Sequence, residues 1–210
     1  MDVTLRTIRN EHAALRAVLQ SILLLLQECR RRGAPPDFET LRAMLFYVDE
    51  FPEQRHHRKE TQLLFPKLRA RSPLSRDVLD RLDNDHERGG ARIRELEHLL
   101  LGYELMGEPR RAAFEDAAQR YVAFYLEHMR LEEEQVLPLA QRVLLAPDWA
   151  ELDEAFAGER DPLAGAAAAE PEYHALFTRI VNRAPAPIGV GPAAGAGGSA
   201  ARRPAGATAR

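Results

Sequence analysis

A single cysteine, Cys29, in 210 residues leaves no partner for an intramolecular disulfide and fits a reducing compartment. Long apolar runs are missing as well. The longest, residues 22–26, is far too short to cross a bilayer. Nor is there an excess of positive charge: 29 Lys and Arg face 32 Asp and Glu, a formal net charge of -3, which disfavours electrostatic binding to nucleic acid. The first residues, Met1-Asp2-Val3-Thr4, show no basic segment followed by an apolar stretch. No signal peptide is therefore expected, and the cytoplasm is the expected location. The remaining composition, 45% hydrophobic and 29% charged, is ordinary for a globular domain with a sizeable core.

The apolar residues recur with a helical period. Leu5, Ile8, Leu15, Leu19, Ile22 and Leu26 alternate three and four apart, with His12 in the same register. That is the seam of a bundle helix. Arg30-Arg31-Arg32-Gly33 supplies cations for its last turn and a glycine stop. A second helix is expected over about 38–68 after an Asp37 N-cap, turning Leu41, Met44, Val48, Phe51, His56, Glu60 and Leu63 inward. Pro52 interrupts it and predicts a kink. Ser72-Pro73 opens a third helix, with Leu79, Leu82, His86, Gly89, Ile93, Leu96, Leu100 and Tyr103 on its seam. After Gly107-Glu108-Pro109, a fourth helix runs to near Leu145. It carries Phe114, Ala117, Tyr121, Phe124, Tyr125, His128, Glu132, Gln135 and Leu139. Short connections predict an all-α, antiparallel up-down-up-down four-helix bundle over residues 1–145. Asp148-Trp149-Ala150-Glu151 forms a capping box for a short helix, and Glu170-Pro171 opens another to about Asn182, so 146–183 is a helical extension. Residues 184–210, rich in Pro, Ala and Gly, read as a tail that is disordered beyond about Gly191.

Two motifs repeat. His56-His57-Arg58-Lys59-Glu60 and His128-Met129-Arg130-Leu131-Glu132 each place a Glu four residues after a His, and Pro66 and Pro138 each follow ten residues after it, at an offset of 72 (128 − 56). Asn10-Glu11-His12 and Asn84-Asp85-His86 match at an offset of 74 (86 − 12). Two helix pairs of one design therefore follow each other, related by an approximate two-fold axis. Residues i and i+4 share a helix face, so each His/Glu pair can reach one point beside its helix.

A lone His in an apolar seam is usually a satisfied core histidine. Six polar groups on four consecutive helices are harder to accommodate, because buried unpaired carboxylates cost on the order of several kcal/mol each. A cation removes that penalty for all six; a metal-free hydrogen-bonded network is the alternative. Imidazole with carboxylate is a first-row transition-metal ligand set, and carboxylates can bridge two ions. Two six-coordinate ions offer about twelve positions. Two bridging Glu fill four, four His fill four more and a solvent-derived bridge two, leaving about one open position per ion. Paired carboxylates with imidazoles in a bundle suit iron better than zinc, with manganese and zinc kept as alternatives.

Taken together, these four motifs resemble the hemerythrin-like (HHE cation-binding) family across about residues 5–142. The resemblance implies a four-helix bundle with a non-haem di-iron centre, in which His12, His56, His86 and His128 are terminal ligands and Glu60 and Glu132 bridge. Oxygen-carrying hemerythrins use a five-residue spacing for the second carboxylate, which makes Glu133 the alternative; the internal repeat pairs Glu132 with Glu60. Those proteins also carry a further His on the third helix, where this chain has Gly90. The set of four His and two Glu is closer to the iron-centre repair proteins of the same superfamily, which are linked to nitric oxide and oxidative stress. Those usually carry a small cysteine-containing N-terminal domain, whereas this chain opens with helix one.

The expected function is a soluble di-iron protein that binds or senses oxygen, nitric oxide or peroxide, or handles iron under oxidative or nitrosative stress. The alternatives are a di-iron enzyme of the peroxidase or nitric oxide reductase type and a metal-dependent regulatory module. His57, about 100° around the helix from His56, is expected at the surface or behind a ligand. His98 and His174 read as surface residues, and Tyr125 as core packing. Gly89-Gly90 reads either as room beside the metals or as close helix packing.

Overall fold

The seam periodicity becomes four long helices in the computed structural model, which describes residues 2–158, 161–164 and 171–191. Helix α1 is Asp2–Arg32. Helix α2 covers 38–71, capped by the Asp37 carboxylate, which accepts the Thr40 N–H. Helix α3 is Arg76–Met106 and α4 covers 111–143. Gly33 and Gly107 end α1 and α3 at φ 63° and 75°, backbone angles that other residues rarely adopt. Helix α1 packs on α2 and α4, and α3 packs on α2 and α4, so the chain runs up-down-up-down around one core. No strand occurs among the described residues. No helix among them is long and apolar enough to cross a membrane.

Two further helices complete the described chain. Helix α5, Ala146–Gly158, lies along α1, and α6, His174–Arg183, lies against the first turns of α2. Helix α5 starts two residues ahead of the expected capping box, because the Asp148 carboxylate turns back to accept the Leu145 N–H and pairs with Arg71. Beyond α6, Ala184 is buried, and the Ser21 hydroxyl donates to the Pro185 carbonyl at 3.1 Å. The tail expected to be disordered, from 192 onward, lies outside the described residues.

Two apolar clusters divide the interior. One gathers Leu15, Leu19, Met44, Phe51, Ile93, Tyr121 and Tyr125 with their neighbours. The other gathers Leu5, Ile8, Leu64, Phe65, Leu82, Val136 and Leu137, together with Trp149, Leu152 and Phe156 of α5. Each fully buried Leu or Phe contributes roughly 1.5–3 kcal/mol. Residue 12 stands between Ile8 of one cluster and Leu15 of the other, so a polar layer crosses the bundle between two dry ones.

Both even helices widen where that layer is built. In α2 the turn Glu60–Leu64 is π-helical, with the Phe65 N–H bonded to the Glu60 carbonyl. In α4 Glu132–Val136 repeats this, with the Leu137 N–H bonded to the Glu132 carbonyl. The cause follows six residues after each Glu: Pro66 and Pro138 have no N–H to give, and their rings would strike the carbonyl four residues back. Opening the turn by one residue relieves both problems. It also moves the buried face on by one. Leu63 and Gln135, expected inward, are exposed, and Leu64 and Val136 are buried in their place. The irregularity expected at Pro52 takes the same form, a π-helical stretch Asp49–His56.

Candidate metal centre

The polar layer brings together all six residues singled out from the sequence. His12, His56, Glu60, His86, His128 and Glu132 come from four different helices, and their ligating atoms fall into two groups of four. One group is His12, His56, Glu60 and Glu132; the other is Glu60, His86, His128 and Glu132. Both carboxylates belong to both groups. His12 and His56 of the first helix pair bring their Nε2 atoms to 3.2 Å, and His86 and His128 of the second bring theirs to 3.1 Å.

These contacts make poor sense without a cation. Glu60 and Glu132 are 0% and 1% exposed, yet none of their four carboxylate oxygens accepts a hydrogen bond among the described residues. The imidazole nitrogens are close, at 3.1 Å for His12 to Glu132, 3.2 Å for His56 to Glu60, and 3.6 Å for both His86 to Glu60 and His128 to Glu132. Close but misaligned donors and acceptors converge on points between them. Buried carboxylates in that state are costly, and two divalent ions would satisfy every one of these atoms. The donor set fits the group that the sequence motifs imply.

The far side of His56, His12 and His86 is held as metal-binding histidines usually are, while His128 has only the Asp85 carboxylate nearby, beyond hydrogen-bond distance. His56 Nδ1 lies 2.6 Å from Glu11, His12 Nδ1 3.1 Å from Glu133, His86 Nδ1 2.8 Å from the Thr61 hydroxyl, and His128 Nδ1 3.6 Å from Asp85. An Nδ1–H donated outward leaves the Nε2 lone pair facing inward. Glu133, with its side chain 31% exposed and also paired with Arg16, stands behind His12, whereas the Glu132 side chain is buried in the layer.

Burial pushes the His12 and His56 pKa values down, but Glu132 and Glu133 beside His12, and Glu60 and Glu11 beside His56, overcome it and raise both. His56 rises well above the usual imidazole range. Burial acts to raise Glu60, yet His56 and His86 hold it well below the usual carboxylate range. On the other side, burial and neighbouring imidazoles push His57 and His86 far down. Without an ion, His12 and His56 are therefore pushed towards their protonated forms, and His57 and His86 towards their neutral ones.

Several residues lie differently from the sequence expectation. Of the two places expected for His57, the surface is excluded: the residue is buried, its ring stacked on those of His86 and Tyr125. Tyr125 is buried as expected, but its hydroxyl donates to Glu53. The space left by Gly89 is occupied: a Cβ there would meet the Tyr125 hydroxyl and come within 2.6 Å of the Glu53 carboxylate. His98 and His174 are exposed. Glu11 and Asp85 are the acids preceding His12 and His86 in the repeat, but Glu11 bonds His56 of the partner helix, and Asp85 lies nearest His128 of its partner helix without reaching hydrogen-bond distance.

No curated protein sequence and no solved structure matches the chain. The model of the family described as "Hemerythrin HHE cation binding domain" matches residues 3–140, two thirds of the 210 residues and all four helices of the polar layer. With that match joined to two His and Glu clusters that share their carboxylates, the chain belongs to the hemerythrin HHE cation-binding family.

Proposed function

We propose that this protein holds two non-haem iron ions in the polar layer and uses them to bind or sense oxygen, nitric oxide or a peroxide in the cytoplasm. His12 and His56 would hold one ion, His86 and His128 the other, with Glu60 and Glu132 shared between them. The observation that carries the reading is the pair of four-residue groups overlapping in two buried carboxylates that have no hydrogen bond among the described residues. When bound, two such ions supply redox-active centres with positions left for a small ligand.

The protein's own part is to orient and to screen. Glu11 and Glu133 fix the rings of His56 and His12 and raise their basicity as ligands. The apolar clusters above and below the layer keep bulk water out. A small pocket opens beside His12 and His56, lined by Leu15, Phe51, Pro52, Arg55, Lys59 and Asp161. Its mostly apolar wall suits a diatomic or peroxide-sized ligand better than a large substrate.

The test is anaerobic loading with ferrous iron, an iron count per chain, and near-ultraviolet and visible spectra before and after oxygen. About two irons per chain with an oxygen-dependent absorption change is the expected result. One iron or none, with no spectral response, would sink the assignment in favour of another metal or of a metal-free network.

A further inference from the structure

We infer that His57 is a fifth imidazole ligand of the centre, added on the side of His86 and His128. The inference rests on the two-ion reading and deepens it, since it makes the two metal positions unequal.

His57 directly follows His56, yet both are buried, at 3% and 4% exposure. The wide turn around Pro52 allows this: it ends at His56, and the N–H of the next residue, His57, bonds to the Pro52 carbonyl five residues back. The imidazole nitrogens of His57, His86 and His128 lie within 4.8 Å of one another, the same span as the two groups already described. The His57 and His86 ring centroids are 4.3 Å apart.

The ring is also positioned from behind. His57 Nδ1 stands 3.3 Å from the Glu53 carboxylate, which accepts hydrogen bonds from Tyr121 at 2.8 Å and from Tyr125. The Tyr125 ring stacks on His57 within 4° of parallel. Glu53 thus does for His57 what Glu11 does for His56: it takes the outward N–H and leaves the other nitrogen with its lone pair free to ligate. The arrangement needs Gly89, since any side chain there would displace the Glu53 carboxylate and the Tyr125 hydroxyl.

The internal repeat shows that this is specific to one side. The counterpart of His57 is Met129 (57 + 72), and the counterpart of Gly89 is Leu15 (89 − 74). Leu15 lines the pocket beside His12 and His56. The chain lacks an imidazole at Gly90 on the third helix, and α2 supplies one from a different direction. The His86 side becomes the more saturated position and the His12 side the open one.

The test uses Co(II) as the probe on the full-length protein. Each cobalt-bound imidazole contributes one solvent-exchangeable, strongly shifted N–H proton resonance, so the wild type with two Co(II) per chain should show five. Four in the wild type would overturn the inference, and this count depends on no variant. His57→Asn should remove one resonance and weaken one of the two Co(II) sites by at least about tenfold, the lower end of what losing even an outer support costs. A variant with the same resonances and the same two affinities would overturn it. Uptake of fewer than two Co(II) by the wild type is a separate result, which overturns the two-ion reading and this inference with it.

Discussion

Removing the metal should give the protein a pH-dependent stability of a particular shape. In the metal-free state His12 and His56 have raised pKa values, so the folded chain keeps protons that the unfolded chain releases above about pH 6.5. Their stabilisation is complete below that pH and is lost as pH rises through their folded values. Each proton held by the folded state alone changes stability by about 1.4 kcal/mol per pH unit. The alkaline limb should therefore fall by up to about 2.7 kcal/mol per unit while both hold their protons, and by about 1.4 when only His56 does. Below pH 6.5 the sign reverses. His57 and His86 have depressed values, so the unfolded chain binds protons there that the folded chain refuses. Glu53 and Asp161, both raised, oppose this and make the acid limb shallower. The metal-free protein should be most stable near pH 6.5, while ions in the layer replace the two protons and flatten the alkaline side. Urea unfolding of chelator-treated and iron-loaded protein from pH 5.5 to 8.5 reads this directly. A metal-free stability that is level from pH 6.5 to 8.5, or that declines equally in the loaded protein, would refute the reasoning.

Glu132→Ala should abolish stoichiometric metal binding, whereas Glu133→Ala should weaken it by roughly 10–100-fold, because Glu133 only supports His12; metal analysis after dialysis against a weak chelator separates the two. Gly89→Ala should destabilise by about 1–3 kcal/mol through overpacking against Glu53 and Tyr125, and an increase of about 1 kcal/mol, as helix propensity alone would give, would contradict the packing argument. Asp161, bonded by the Tyr47 hydroxyl, is raised to about 6 chiefly by burial, so its ionised form costs stability at neutral pH and that cost disappears as pH falls from 6 towards 4. Asp161→Asn in the metal-free protein should therefore gain up to about 3 kcal/mol at pH 7 and almost nothing near pH 4, measured by the same unfolding curves.

The bundle was legible because an amphipathic seam repeats the same statement many times: one wrong position among Leu5, Ile8, Leu15 and Leu19 would not have changed the reading. Register past the prolines was not. Periodicity counts 3.6 residues per turn, and nothing in the apolar pattern announces that Pro66 and Pro138 open the turn at Glu60 and Glu132. Leu63 and Gln135 were misplaced for that one reason. The surface position expected for His57 fails on the same assumption of uniform geometry, since a regular helix carries it about 100° away from His56 and the π-helical stretch before it does not. The supports escaped for a different reason. Glu11 sits beside His12 in the chain but holds His56, and a pairing across helices leaves no spacing to read.

The repeat does more than gather six His and Glu side chains in one layer; its imperfections decide how the two halves differ. His56 has Glu11 behind it and His12 has Glu133, so the first side carries two supporting carboxylates. The equivalent of Glu133 on the second side is Thr61 (133 − 72), a neutral hydroxyl beside His86. Burial and the neighbouring His57 push the His86 pKa down with only that hydroxyl behind the ring, whereas Glu132 and then Glu133 raise His12 against the same burial. Burial and neighbouring imidazoles hold His86 and His57 towards their neutral forms when the metal is absent, so an ion arriving at those two rings has no proton to displace from them. An ion entering between His12 and His56 must expel the protons that balance Glu60 and Glu132. Two positions built from one duplicated motif are thereby made chemically unequal, and the inequality comes from residues 57, 61 and 89, none of which belongs to the motif's six.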